Sequence, residues 1–185
     1  MNILYKFENE LPAVFGTHEN KLDMSIVEEQ LTMWQGKTET DPSVYPQLKK
    51  YWDYVKFGDG WTPTGTAWSS AFISYVLQNE EFPKRSAHYQ YIEDIMNGKY
   101  PSWSAFSIPK SNNLSLEIGN VLVRPRSSSD TATHGDVVYK IEKGLAYLVG
   151  GNMSNTAKIV EIIEVDQNNR PKKPIEDYII ILKKK

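Results

Sequence analysis

The chain has 185 residues, with 21 Lys and Arg against 23 Asp and Glu, and no cysteine. The missing thiol excludes disulfide frameworks, thiolate zinc sites and cysteine nucleophiles, and a net charge of -2 supplies no field to gather a nucleic-acid backbone. An apolar content of 40% with 5 Trp, 11 Tyr and 6 Phe suits one globular domain that buries roughly two-thirds of its unfolded surface.

The opening residues Met1-Asn2-Ile3-Leu4-Tyr5-Lys6 contain no apolar run of signal-peptide length. No stretch approaches the roughly 18 apolar residues that span a bilayer. Synthesis in the cytoplasm without a membrane span is therefore expected, and action elsewhere would need a carrier or a release route. His18 lies in a polar stretch and reads as surface, and Lys183-Lys184-Lys185 reads as a solvated tail.

From Asp23 to Met96 the pattern is helical. Ser25 with Glu28 has the form of a capping box, opening a helix with Ile26, Leu31 and Trp34 on one face and Gly36 at its end. A second helix is expected after Asp41-Pro42-Ser43, with Tyr45, Leu48, Trp52 and Val55 three or four apart, closing near Gly58. The Gly- and Pro-rich segment Gly58 to Thr66 reads as a loop leading into a third helix, Ala67 to Asn79. A fourth runs from about Ser86 to Met96, with Tyr89, Ile92 and Met96 on one side.

Beyond Gly98 short runs rich in Val, Ile, Leu and Tyr are punctuated by Pro, Gly, Ser and Asn. Strands are expected at Asn120–Arg124, Asp136–Ile141, Ala146–Val149, Lys158–Val165 and Tyr178–Leu182, with Glu142-Lys143-Gly144 as a hairpin loop. Ser127-Ser128-Ser129-Asp130-Thr131 reads as a flexible polar segment. Helices first and strands afterwards imply an α+β domain whose mainly antiparallel sheet packs on the helical layer.

Three segments carry candidate chemistry. Ser69 falls in the first turn of the third helix, where unpaired backbone N–H groups and the helix dipole favour an anionic nucleophile or a developing oxyanion. The alternative is that Thr66, Ser69 or Ser70 caps that helix. His134 stands just before a strand and Asp136 at its start, a base with a carboxylate close by or else a structural histidine and a turn residue. Gly150-Gly151-Asn152 follows the next strand, which brings Asn152 toward His134 unless it is an ordinary turn. His18, His88 and His134 are far apart and form no His-x-x-x-His pair, so neither metal nor cofactor is expected. Trp61 and Trp68 are candidates to stack on sugars, with packing in the core as the alternative.

A nucleophile at a helix start, then a histidine leading a strand, then a polar residue on the next strand is the order found in papain-like hydrolases. Trp68-Ser69-Ser70-Ala71-Phe72-Ile73 resembles the Trp-Cys-Ala-Ala-Phe-Val helix start of CHAP-type and NlpC-like cell-wall hydrolases, with serine at the cysteine position. Phe82-Pro83, Ser86-Ala87-His88, Tyr91-Ile92, His134-Gly135-Asp136-Val137-Val138 and Gly150-Gly151-Asn152 are similar to a bacterial and phage branch catalogued as a domain of unknown function, which carries Trp-Ser-Ala-Ala-Phe-Ile-Ser. The likeness spans about residues 45–165.

The resemblance implies a papain-like α+β domain over residues 41–185, with residues 1–40 as an extension packed on it. It implies a peptidoglycan-directed amidase or endopeptidase with Ser69 as nucleophile, His134 as base and Asn152 orienting the imidazole, Asp136 being the other candidate for that role. His88, Arg126, Trp61 and Trp68 become substrate-binding candidates, Arg126 for a substrate carboxylate. Peptidoglycan peptides are the implied partner, reached by virion carriage, holin release or a secretion apparatus. The alternative is a catalytically silent module that binds the wall or forms part of a virion.

Overall fold

The computed structural model describes residues 22–108, 114–126 and 131–185. His18 and the polar segment 127–130 lie outside them. Four α-helices, α1 (Ser25–Trp34), α2 (Tyr45–Tyr54), α3 (Ser69–Val76) and α4 (His88–Met96), precede six strands: β1 (Trp103–Ser107), β2 (Val121–Pro125), β3 (Thr133–Glu142), β4 (Leu145–Gly150), β5 (Lys158–Glu164) and β6 (Ile180–Lys184). The strands form one antiparallel sheet in the order β1-β6-β2-β3-β4-β5, which establishes the expected α+β class. No described helix is long and apolar enough to cross a membrane.

Strand alternation divides the core into two layers. Val121, Val123, Val137, Val149, Ile180 and Leu182 meet the helices, packing with Trp34, Leu48, Tyr51, Trp68, Phe72 and Ile92. Their neighbours Leu122, Val138, Leu148 and Ile181 point the other way, under Leu114, Leu116, Ile175 and Tyr178 from the β1–β2 and β5–β6 connections. The β3–β4 hairpin turns on Lys143 and Gly144, both at positive φ, the conformation that matches strand twist in a two-residue loop.

Several local expectations change. Ser25 is the first residue of α1, with Met24 at the cap and no side-chain capping bond. Asp23 accepts from the Ser25 amide instead, and Glu28 accepts from the Tyr139 hydroxyl. The buried face of α1 is Val27, Gln30 and Trp34, a rotation from the expected one. The strand β1 was not expected. It has few β-branched residues and exists by pairing with β6 from the far end of the chain. That pairing also corrects the tail reading: Lys184 lies within β6 and bonds Glu80, while Lys183 bonds Glu117 at 2.7 Å.

The helix-to-sheet contact is tight at Gly151, where a Cβ would lie 2.6 Å from Phe72 Cβ and Cγ. These atoms are anchored at the helix and have little room to move. Gly151→Ala should destabilise the fold by about 1–3 kcal/mol, read as a lowered urea midpoint with an unchanged denaturant slope.

Candidate active site

Three hydroxyls stand at the start of α3, and none caps it. Trp68 is the cap residue and makes no side-chain capping bond. Thr66 Oγ1 accepts from the Thr62 amide at 2.9 Å, closing the preceding loop, and Ser70 Oγ donates to the Arg85 carbonyl at 2.9 Å. Ser69 Oγ instead meets His88 Nε2 at 2.7 Å, and Tyr91 OH meets the other nitrogen, His88 Nδ1, at 2.5 Å. His88 and Tyr91 are three apart on α4, so one helical face presents both.

His88 is deeply buried with no carboxylate on either nitrogen, and its pKa is held well below 6.5, first by burial and then by the nearby His134 and Arg126. The Tyr91 pKa is pushed well above its usual value by burial and by the Asp136 charge. Both groups are therefore neutral at pH 7. A neutral imidazole donates at one nitrogen and accepts at the other. Either Nδ1–H donates to Tyr91 and Ser69 donates to Nε2, or Tyr91 donates to Nδ1 and Nε2–H donates to Ser69. Only the first leaves a lone pair waiting for the serine proton.

A second network lies on the opposite side of β3. Alternation puts His134 and Asp136 on one face and Gly135 on the other, where a Cβ would lie 2.2 Å from Tyr91 OH and 3.1 Å from His88 Nδ1. The bare glycine thus lets α4 approach the strand. Asp136, wholly buried, accepts from His134 Nε2 at 3.0 Å and from Tyr178 OH at 3.0 Å, and pairs with Arg124 Nη2 at 3.2 Å. Three donors, one cationic, offset the cost of burying its charge. Arg126 Nη2 lies 2.7 Å from His134 Nδ1. A guanidinium can only donate, so Nδ1 is an acceptor and His134 is the Nε2–H tautomer.

The predicted residues therefore converge, in a different pairing. The rings of His88 and His134 lie with centroids 5.3 Å apart, but the serine bonds to His88. Asp136 orients His134, and Asn152, at positive φ in the turn after β4, makes no hydrogen bond to it. A Cβ at Gly150 would lie 2.3 Å from Asp136 Oδ1, so the Asp136 carboxylate fills the space that a side chain at 150 would enter. Trp68 lies in the core, stacked on Trp34 at 4.6 Å with its indole N–H donating to Glu39. Trp61 packs near Trp52 at 6.4 Å.

Three members of the site escaped the sequence reading. The i, i+3 spacing of His88 and Tyr91 was a usable signal for Tyr91. Arg124 reaches Asp136 through the β2–β3 register, and Tyr178 arrives from 42 residues away, so neither leaves a local trace. Among the described residues no group of three or more His, Cys, Asp or Glu side chains is placed to hold a metal ion. Comparison with known protein families, characterised proteins and solved structures finds no match to this chain.

The His88 environment has a consequence for stability. Its folded pKa lies below the unfolded value near 6.5, so the unfolded chain binds the extra proton first as pH falls. Stability due to neutral His88 is complete above pH 6.5 and declines as pH drops from there toward the folded pKa. Urea denaturation at pH 7.5 and pH 5.5 should show this loss, and His88→Gln should flatten it.

Proposed function

We propose that this chain is a serine-type hydrolase of amide bonds in cell-wall peptides, built on a papain-like fold. The observation that carries the reading is the 2.7 Å contact of Ser69 Oγ with His88 Nε2 at the first position of α3. The serine and histidine are in hydrogen-bond reach, as nucleophile and base must be. The likeness of Trp68-Ser69-Ser70-Ala71-Phe72-Ile73 to cell-wall hydrolases supports the substrate class.

In the proposed reaction, His88 carries its proton on Nδ1, directed at the Tyr91 oxygen, and Nε2 accepts the Ser69 proton. The freed oxygen attacks the amide carbonyl, and the unpaired N–H groups at the head of α3 face the developing oxyanion. His88 then returns the proton to the departing amine. Water, activated by the same nitrogen, releases the acyl group and restores the serine. His134 is not the base in this scheme, because its one acceptor nitrogen receives Arg126. It and Asp136 hold the strand on which His88 and Tyr91 rest.

The competing reading, a silent module, draws support from the burial of the site: Ser69 is 3% exposed and His134 1%. An imidazole without a carboxylate partner is also a weak base, and among the described residues no carboxylate reaches either nitrogen of His88 to stabilise the imidazolium. Hydrolysis of purified peptidoglycan, followed by mass spectrometry of new amino termini, separates the two. The expected result is release by the wild type and loss of about a thousandfold or more in Ser69→Ala and in His88→Ala, with far-ultraviolet circular dichroism confirming that the variants fold. Absence of release by the wild type would overturn the hydrolase reading.

The active form requires neutral His88, whose pKa is depressed. The acid limb of kcat/KM should therefore lie well below pH 6.5, with a flat profile across that value. Ser69→Cys should retain or increase turnover, because a thiol is the more readily ionised nucleophile.

A further inference from the structure

A groove of about 740 Å³, with neither Ser69 nor His88 in its lining, lies where the ends of α2 and α3 meet the α4–β1 turn; its walls include Tyr54, Lys56, Lys84, Arg85, Lys99 and Tyr100. It is an open depression and not an enclosed cavity. The chain as a whole is slightly acidic, with a net charge of -2, yet four cationic side chains line this one depression against the single carboxylate of Glu81.

Hydrogen bonding distinguishes the cations. Arg85 and Lys99 share the buried carboxylate of Asp94, through Arg85 Nε at 2.6 Å and Lys99 Nζ at 2.7 Å. One negative charge thus holds two positive groups at the wall. Among the described residues Lys84 has no carboxylate partner, and its ammonium sits 4.4 Å from the centroid of the Tyr54 ring, a cation–π contact that positions it without neutralising it. Lys56 is at positive φ, at 56°, where a lysine is strained and a glycine would not be. Burial and the neighbouring Tyr100 raise the Tyr54 pKa, so its hydroxyl remains a donor at neutral pH.

With Arg85 and Lys99 sharing Asp94, the charge left over on this wall is that of Lys56 and Lys84 against Glu81, beside the polar side chains of Gln78 and Ser102. Its complement is an oxyanion with several acceptor oxygens, and the charge of a phosphate ester is matched by Lys56 and Lys84. A lone phosphate would fill a small fraction of the groove. The remainder, bounded by Tyr54 and Tyr100, suits a polyhydroxyl ring, whose hydroxyls can accept from the two phenols. We propose that this groove is a binding site for a sugar phosphate, separate from the Ser69 site and independent of any hydrolytic activity there.

Titration calorimetry on the full chain with N-acetylglucosamine 1-phosphate, N-acetylglucosamine and inorganic phosphate tests this. Saturable one-to-one binding of the sugar phosphate is expected, at least about tenfold tighter than either component alone. The double variant Lys56→Ala/Lys84→Ala should weaken it by about tenfold or more, with an unchanged melting temperature because both side chains are exposed. Tyr54→Phe should weaken it by a smaller factor. Equal affinity for inorganic phosphate, no saturable binding of the sugar phosphate, or unchanged affinity in the double variant would overturn the proposal.

Discussion

A β-strand presents successive side chains to opposite faces, and β3 places His134 and Asp136 on one face with Gly135 between them on the other. Everything around the candidate site depends on that bare position. Any side chain at 135 would occupy the space of the Tyr91 hydroxyl and press on His88. Because none is there, α4 settles against the strand and brings His88 to the head of α3. Gly150 does the same for the opposite face, leaving room for the Asp136 carboxylate. The two glycines set how closely the elements carrying the two histidines approach.

The two networks differ in electrostatic character. On the helix side, Ser69, His88 and Tyr91 form a neutral chain, because burial disfavours charge on each member. On the other side, Asp136 is buried as a partner of Arg124, with His134 and Tyr178 completing its hydrogen bonds. The charged network has its compensation built in. The neutral one has no such compensation among the described residues. Its limit is the cost of an imidazolium in a buried site without a counter-ion, a cost that a cysteine nucleophile would evade by ionising beforehand.

Much of the architecture was legible locally. The four helices and five of the strands follow from periodicity and from turn residues such as Lys143-Gly144. The departures share a physical cause. The capping box at Ser25 failed because α1 takes Met24 as its cap, with the Glu28 amide bonded to the Met24 carbonyl, while the Glu28 carboxylate accepts from Tyr139, 111 residues away. The strand β1 and the ordering of Lys183 and Lys184 depend on β6 inserting between β1 and β2, an arrangement with no short-range signature. Trp68 reads equally well as a sugar platform or a core residue until its neighbours Trp34, Tyr51 and Glu39 are in place.

For the candidate site, sequence by itself determined that the chemistry has no thiol and that Ser69 stands at the head of a helix, where amides lack partners. It also determined the order of elements that brings residues 69, 88, 134 and 136 into one region. Tertiary structure alone decided which histidine meets the serine. Both imidazoles are within one ring of each other, and spacing along the chain cannot rank them. Face alternation and the missing Cβ at 135 resolve the choice, directing His88 to Ser69 and committing His134 to Asp136 and Arg126.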